Sequence, residues 1–246
     1  MKFYNLKSPS PAEQLASDEV LLDCCENGRA EETLLFWEPC ETFVVVGYAN
    51  QVETEVNLSA CAAKGIPVFR RCSGGGTVLQ GAGCLNYSLV LQITEDGPCR
   101  NITSANQFIM ERNRAAIAGL FNTEVRNGKS EIYVRGHTDL ALDGRKFSGN
   151  SQRRKRNFLL FHGTFLLNFD LALVGEFLRM PSLQPDYRAG RSHDAFLANL
   201  SLPAESVKSA LQKVWDATAP LATLPQAEIQ KLAAEKYSTD EWNLKL

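Results

Sequence analysis

Arg70-Arg71-Cys72-Ser73-Gly74-Gly75-Gly76-Thr77-Val78-Leu79-Gln80-Gly81-Ala82-Gly83-Cys84-Leu85-Asn86-Tyr87-Ser88-Leu89-Val90-Leu91 is the stretch on which the fold turns. A short apolar strand, Pro67–Arg71, leads into three successive glycines, and a second apolar strand follows near Leu85–Gln92. Consecutive glycines remove side-chain bulk and open φ values closed to other residues, so backbone N–H groups can approach an anion closely. The paired arginines add fixed charge and forked donors suited to phosphate or carboxylate. Glycines alone describe only a flexible turn; with Arg-Arg and Ser73 attached, the pattern predicts an anion-binding loop. Neighbouring strand residues point to opposite faces, so at most one of Arg70 and Arg71 enters a given site. The loop is no common nucleotide motif: G-x-x-x-x-G-K-[ST] and a complete G-x-G-x-x-G are absent, as are H-E-x-x-H and G-x-S-x-G.

Outward from this stretch, Ser10 caps and Pro11 opens a first helix that runs to about Glu26, with Glu13 placed as in a capping box. Leu34–Trp37 and Phe43–Val46 predict buried strands around a turn at Pro39, and a helix near Val56–Lys64 stops at Gly65. Thr103 or Ser104 caps an amphipathic helix to about Phe121, and residues 131–167 predict a β-meander. Asp143-Gly144 marks a hairpin, because both residues tolerate positive φ. Arg153-Arg154-Lys155-Arg156 is expected at the tip of the next turn, and the chain from Asp170 onward is mainly helical. There is no regular β-α-β alternation, so a doubly wound nucleotide fold is disfavoured and one α+β domain over residues 1–246 is expected.

The 246 residues carry a formal net charge of −2 with pI near 6.0, so no global polycation is available to coat nucleic acid. No stretch approaches the roughly 18 apolar residues that span a bilayer. The opening MKFYNLKSPSPAEQ has no apolar core of a secretory signal, so a cytoplasmic protein without a membrane partner is expected. Seven cysteines lie at 24, 25, 40, 61, 72, 84 and 99, an odd number without a C-x-x-C pair. That pattern indicates reduced, buried thiols rather than a disulfide framework or a zinc ribbon. His137 and His193 lie far apart in sequence, and no metal site is expected.

A second chemical signal is Asp139-Leu140-Ala141-Leu142-Asp143-Gly144-Arg145-Lys146-Phe147-Ser148-Gly149. Hairpin lysines are usually solvated, yet Phe147, Ser148 and Gly149 fit an exposed hairpin poorly. Brought near the glycine loop, the Lys146 ammonium would neutralise a carboxylate and a phosphate together. His162, on the apolar run Phe161-His162-Gly163-Thr164, is expected as a hydrogen-bonded supporting residue.

These segments resemble the lipoate–protein ligase family, within the biotin/lipoate protein ligase superfamily. The similarity rests on 70–91, on TDLALDGRKFSGNSQ (138–152) and on FHGTFLLNFDL (161–171), with weaker echoes in the first helix, 34–51 and the terminal Asp240-Glu241-Trp242-Asn243. The resemblance implies a central mixed β-sheet flanked by helices, as in biotin ligases and class II tRNA synthetases. It implies ATP-dependent activation of lipoate or octanoate to an acyl-AMP, with Mg²⁺ accompanying the nucleotide. Transfer to a lysine of an apo lipoyl domain follows, such as that of a 2-oxoacid dehydrogenase E2 or a glycine-cleavage H protein. On this basis Arg71, Gly74, Gly75, Gly76, Thr77, Val78, Leu79, Asp139 and Lys146 are expected at the nucleotide. Lys146, Arg70, Gly75, Asn86 and His162 are expected at the lipoyl group, with Lys146 catalytic. Asp139 is left open between orienting a lysine and helping to hold the metal. Trp37, Val44–Val46 and Leu85–Leu89 are candidate walls for an apolar acyl tail.

Departures qualify the likeness. Many members carry His-Asp where this chain has Gln80-Gly81, and Asn where it has Cys84. The chain ends at Leu246, where longer members continue into an accessory domain, so a separate accessory subunit, a protein that manages without that part, and a half-reaction enzyme all stay open. The nearest alternative is an octanoyl- or lipoyl-transferase that holds the acyl group on a cysteine. Such enzymes place that cysteine shortly before the Asp139-like position or well beyond the His162-like strand, and this chain has none in either place. A biotin ligase and a catalytically silent carrier are the other readings. The basic run 153–156 is a solvated turn, or else a dock for an acidic lipoyl domain.

Overall fold

A computed structural model describes residues 1–7, 10–123 and 131–246, the side chains of residues 122 and 123 left aside. The chain order is β1 (Lys2–Asn5), α1 (Pro11–Glu26), β2 (Thr33–Trp37), β3 (Phe43–Val46), α2 (Val52–Glu55), α3 (Leu58–Lys64), β4 (Val68–Arg70), β5 (Val78–Gln80), β6 (Cys84–Gln92) and α4 (Ile102–Thr123). Then come β7 (Ile132–Arg135), β8 (Asp139–Leu142), β9 (Arg145–Arg154), β10 (Phe158–Leu166), α5 (Ala172–Phe177), α6 (His193–Phe196), α7 (Ala204–Val214), β11 (Ala219–Pro220), α8 (Gln226–Leu232) and α9 (Asp240–Asn243). Among the described residues the strands form an eight-stranded sheet, β11-β1-β2-β6-β10-β9-β8-β7, and a three-stranded sheet, β4-β3-β5. The large sheet is mixed: β1 runs parallel to β11 and β2, and the pairs from β2 to β7 are antiparallel. The expected mixed sheet flanked by helices is therefore present.

Period-two alternation along β6 divides the core. Leu85, Tyr87, Leu89 and Leu91 join Phe36, Phe147, Phe161 and Phe165 on one face, packed with Ile109, Met110 and Ile117 of α4 and Val207 and Leu211 of α7. The other face offers Leu35, Trp37, Val90 and Leu160 to α1. Ser10 caps α1 by accepting the Glu13 N–H at 3.3 Å, with Pro11 at the first helical position. Most of α1 is buried, polar Asp18 and Glu19 included, because α8 and the turn that follows it cover its outer side.

One element departs from expectation. Phe43–Val46 does not pair with Leu34–Trp37; it centres the small sheet, parallel to β4 and antiparallel to β5. The helix expected near Val56–Lys64 is present as α3, capped by Asn57 through the Ala60 N–H and ended by left-handed Gly65, and a separate short helix, α2, ends before extended Val56. The meander is present as β7 to β10, and Asp143 (φ 51°) and Gly144 (φ 76°) form its left-handed turn. No helix among the described residues is long and apolar enough to cross a membrane.

Candidate active site

On the α1 side of the large sheet, register aligns two polar rows. Gly149, Thr164, Asn86 and Trp37 lie side by side across β9, β10, β6 and β2, and the next row is Ser151, His162, Ser88 and Leu35. Gln80 comes down onto the first row from the small sheet: its Nε2 donates to Thr164 Oγ1 at 2.7 Å and to Asn86 Oδ1 at 3.1 Å, and Asn86 Nδ2 returns a bond to Gln80 Oε1 at 2.9 Å. Trp37 Nε1 is buried without a partner among the described residues. In the second row Asp18 of α1 accepts from Ser88 Oγ at 2.5 Å and bonds His162 Nδ1 at 2.6 Å, while His162 Nε2 meets Ser73 Oγ at 2.5 Å.

The glycine loop, the β4–β5 connection, lies over these rows. The buried Arg71 guanidinium donates to Gly74 O at 2.5 Å, Gly76 O at 2.7 Å and Ser73 Oγ at 3.1 Å. Burial lowers its pKa to about 10, and no carboxylate pairs with it among the described residues, so it leaves positive charge beneath the loop. A trans peptide sets C=O and the following N–H antiparallel. With Gly74 O and Gly76 O held towards Arg71, the N–H groups of Gly75 and Thr77 are turned the other way. Gly74, Gly75 and Gly76 are exposed. A Cβ on Gly47 would stand 2.0 Å from Gly75 O, so glycine there is a steric requirement of the loop's path.

The second cluster stands on the β8–β9 hairpin. Lys146 Nζ pairs with Asp139 Oδ1 at 2.7 Å, and Tyr187 Oη donates to Asp139 Oδ2 at 2.8 Å. Burial, followed by the charge of Asp139, pushes the Tyr187 phenol far above its ordinary range, so it stays a donor. A β-bulge between Leu140 and Ala141 sets Asp139 opposite Gly149 and Ala141 opposite Lys146. Gly149 lacks a side chain where Lys146 Nζ passes, since a Cβ there would lie 2.7 Å from that atom. Two residues on, Ser151 Oγ donates to Gly74 O at 2.8 Å. The glycine loop and the Lys146–Asp139 pair thus share one face of β9, about 7 Å apart along the strand.

Arg71, Lys146, Asp139, Asn86 and His162 are accordingly brought to one side of the sheet. Arg70, expected at the lipoyl group, is not. Its Nη1 donates to the carbonyls of Gly47 (2.9 Å), Tyr48 (3.1 Å) and Asn50 (2.8 Å), and its Nε to Trp242 O (3.2 Å). Fully buried, it braces the loop after β3 against α9. Leu79 packs into the core of the small sheet, leaving its backbone for any ligand. The basic run is also engaged internally: Arg153 donates to Cys72 O at 2.9 Å and pairs with Glu19 at 3.6 Å, Arg154 holds Cys99 O at 2.8 Å, and Lys155 pairs with Asp23. That leaves little free charge for docking.

Cys72 and Cys84, the thiols near the loop, are buried, and burial pushes each to about 12, the opposite of nucleophile activation. Sequence reading missed Asp18, Ser151, Tyr187 and Gly47. Asp18 is one of several acids in α1 and carries no local mark of its own, and the others likewise depend on contacts distant along the chain.

The family model for the lipoyl protein ligase A/B catalytic domain matches residues 10–217. Octanoyltransferase LipM of Geobacillus kaustophilus is 28% identical over 265 residues, covering 96% of this chain and 94% of that protein. A structure of a bi-partite lipoate protein ligase with its E2 lipoyl domain from Thermoplasma acidophilum superposes with a TM-score of 0.79 at 21% identity, covering 99% of this chain and 95% of the other. A lipoate-protein ligase A bound with ATP superposes with a TM-score of 0.76 at 23% identity, covering 99% and 98%. At these identities the two structures establish the fold alone. With two signature loops on one strand face and a family match over most of its length, the chain belongs to the lipoyl protein ligase A/B catalytic-domain family.

Proposed function

We propose that this chain is an ATP-dependent, AMP-forming lipoate–protein ligase. It joins lipoate or octanoate to AMP and then passes the acyl group to a lysine of a lipoyl-domain acceptor. The carrying observation is the Lys146 ammonium and the Arg71-backed glycine loop on one face of β9. In the first step a carboxylate oxygen attacks the α-phosphorus and the bond to pyrophosphate breaks. Two anions meet, so the barrier is largely electrostatic, and Lys146 with the N–H groups of Gly75 and Thr77 lowers it. In the second step a neutral acceptor amine attacks the acyl carbonyl, AMP leaves with the bonding pair, and the amine's proton passes to solvent. Trp37, its indole Nε1 buried without a partner among the described residues, ends the Asn86 row and is the wall for the acyl tail on this face of the sheet. Asn86 and His162 lie at its polar rows.

Mg²⁺ would enter on the nucleotide's phosphates. The described residues contain no cluster of three metal-ligating side chains, and Asp139 already accepts from Lys146 and Tyr187. An acceptor lipoyl domain and a separate accessory subunit are supported by the bi-partite relative.

The similarity to LipM favours a second reading, octanoyl transfer through a covalent acyl-cysteine. Against it, 131–138 contains no cysteine and none follows Cys99. The test is to incubate the chain with an apo lipoyl domain and either ATP, Mg²⁺ and lipoate, or an octanoyl thioester without ATP, and to weigh the domain. A ligase adds lipoyl mass only with ATP and exchanges labelled pyrophosphate into ATP. Acylation from the thioester alone would establish the transferase instead.

A further inference from the structure

We propose that Asp18, His162 and Ser73 form a positioning relay that aims the glycine loop, with His162 as its middle member. It deepens the adenylating reading above, naming what holds the loop in its binding geometry. Residues 18, 73 and 162 come from α1, the loop and β10, and their side chains connect through bonds of 2.6 Å and 2.5 Å. Asp18, Ser73 and Ser88 are at most 2% exposed and His162 is 9% exposed. The connectivity is that of a serine-hydrolase triad. Its setting is different.

A nucleophile ends its hydrogen-bond chain with a free lone pair facing substrate. Ser73 Oγ sits in mid-chain, buried, and accepts the Arg71 Nε–H at 3.1 Å. For a neutral imidazole, donor and acceptor counting places the protons. An ionised carboxylate only accepts, so His162 Nδ1 carries a proton towards Asp18, whose other oxygen takes the Ser88 hydroxyl. Ser73 Oγ takes the Arg71 Nε–H on a lone pair, and opposite a neutral imidazole its own proton goes to His162 Nε2. The chain continues through Arg71 to Gly74 O and Gly76 O, the two carbonyls whose orientation aims the N–H groups of Gly75 and Thr77. The rigid strand β10 and the buried helix α1 thereby orient an exposed loop that has no helix or strand of its own. Preorganised donors of this kind spare the cost of ordering them when charge develops.

The test uses the full chain and two readouts. Hydrogen exchange of the amides at 74–78 reports the loop directly, and ATP–pyrophosphate exchange with lipoate reports function. His162→Ala takes the histidine bond from Asp18 Oδ2 and from the buried Ser73 hydroxyl, while Ser88 and Arg71 keep theirs; a loss of this kind corresponds to roughly 5- to 150-fold in an equilibrium. Loop amide exchange should rise about 10-fold or more, and KM for ATP by a similar factor. His162→Asn, whose amide replaces Nδ1 and serves Asp18 only, should behave like the alanine variant. His162→Gln, whose amide reaches the Nε2 position, should recover loop protection and KM to within about 5-fold of wild type. Ser73→Ala, a smaller change that tests the same link should the histidine variants fold poorly, should loosen the loop while leaving β10 protected.

Equal loop protection in all four variants would overturn the relay, whatever their activity. So would an acyl ester trapped on Ser73 of the wild type, which would make it a nucleophile. Should the wild type exchange no pyrophosphate, the ligase proposal fails, and the amide exchange still decides the relay.

Discussion

Gly149→Ala separates chemistry from folding at this site. The added Cβ would stand 2.7 Å from Lys146 Nζ and 2.8 Å from Lys146 Cε, with Asp139 Oδ1 at 3.6 Å. These are the far atoms of a flexible side chain, and Gly149 is not among the positive-φ glycines, so the backbone accepts alanine. To regain ordinary contact of about 3.5–4.0 Å, the lysine tail must swing by about 1 Å. The Lys146 and Asp139 side chains are 25% and 13% exposed, and loosening such a partly solvated pair costs about 1 kcal/mol or less. Alanine in place of glycine returns roughly 0.4–1 kcal/mol through the unfolded chain. Stability should stay within about 1 kcal/mol of wild type, or about 4 °C in Tm for a chain of this size. Displacing a catalytic ammonium by about 1 Å costs on the order of 10²-fold in rate. Thermal melts paired with pyrophosphate exchange and acceptor mass measure both sides. An unchanged rate would refute the place of Lys146 at the reacting centre. A melt lowered by more than about 10 °C would mean that Gly149 serves packing instead.

Three further outcomes are expected. Lys146→Ala should cut pyrophosphate exchange by about 10²–10³-fold, and Lys146→Arg should not restore it, because a planar fork cannot replace a compact point charge. Gly163→Ala would put a Cβ 1.7 Å from Asn150 Oδ1, the group that accepts from Tyr87 Oη at 2.7 Å. Overpacking plus loss of the acceptor for the buried Tyr87 hydroxyl, which keeps its bond from Asn113, costs about 3 kcal/mol, and a double-mutant cycle with Asn150→Ala should give a coupling of at least about 1 kcal/mol; additive costs would count against the contact. Burial raises Cys25, Cys72 and Cys84 from 9.0 to about 12. Stability present below pH 9 should therefore fall towards pH 12, by about 1.4 kcal/mol per thiol per pH unit, as the unfolded chain alone releases protons. Urea midpoints at pH 8 and pH 10 check this, and Cys72→Ala should flatten the decline.

What could be read without a structure was local. Three glycines after an arginine pair, the Asp143-Gly144 turn and the alternation of Leu85, Tyr87 and Leu89 are each set by neighbours a few residues away, and the turn and the alternation stand as expected. Strand pairing over long separations was not legible. Lys2–Asn5 holds its place through parallel contacts with residues 33–36 and 219–220, which no short window contains. Phe43–Val46 has an apolar pattern that fits either sheet, and its choice depends on β4 and β5. Strand alternation allowed only one arginine into the site; which one depended on the side of the small sheet that faces β9. The Asp18–His162–Ser73 contact joins three distant segments, and nothing near any one of them marks the other two.

The bracing by Arg70 bears on how far the glycine loop can be treated as a portable module. Residues 47, 48 and 50 offer carbonyls to this side chain, its backbone N–H binds Asn243 Oδ1 at 2.9 Å, and Trp242 Nε1 returns a bond to its carbonyl at 2.7 Å. Segments nearly two hundred residues apart are thus one foundation. Grafting 70–78 alone onto another scaffold would transplant the arch without its footing, and randomised libraries should keep positions 47–50, 70 and 242–243 as a single inherited block.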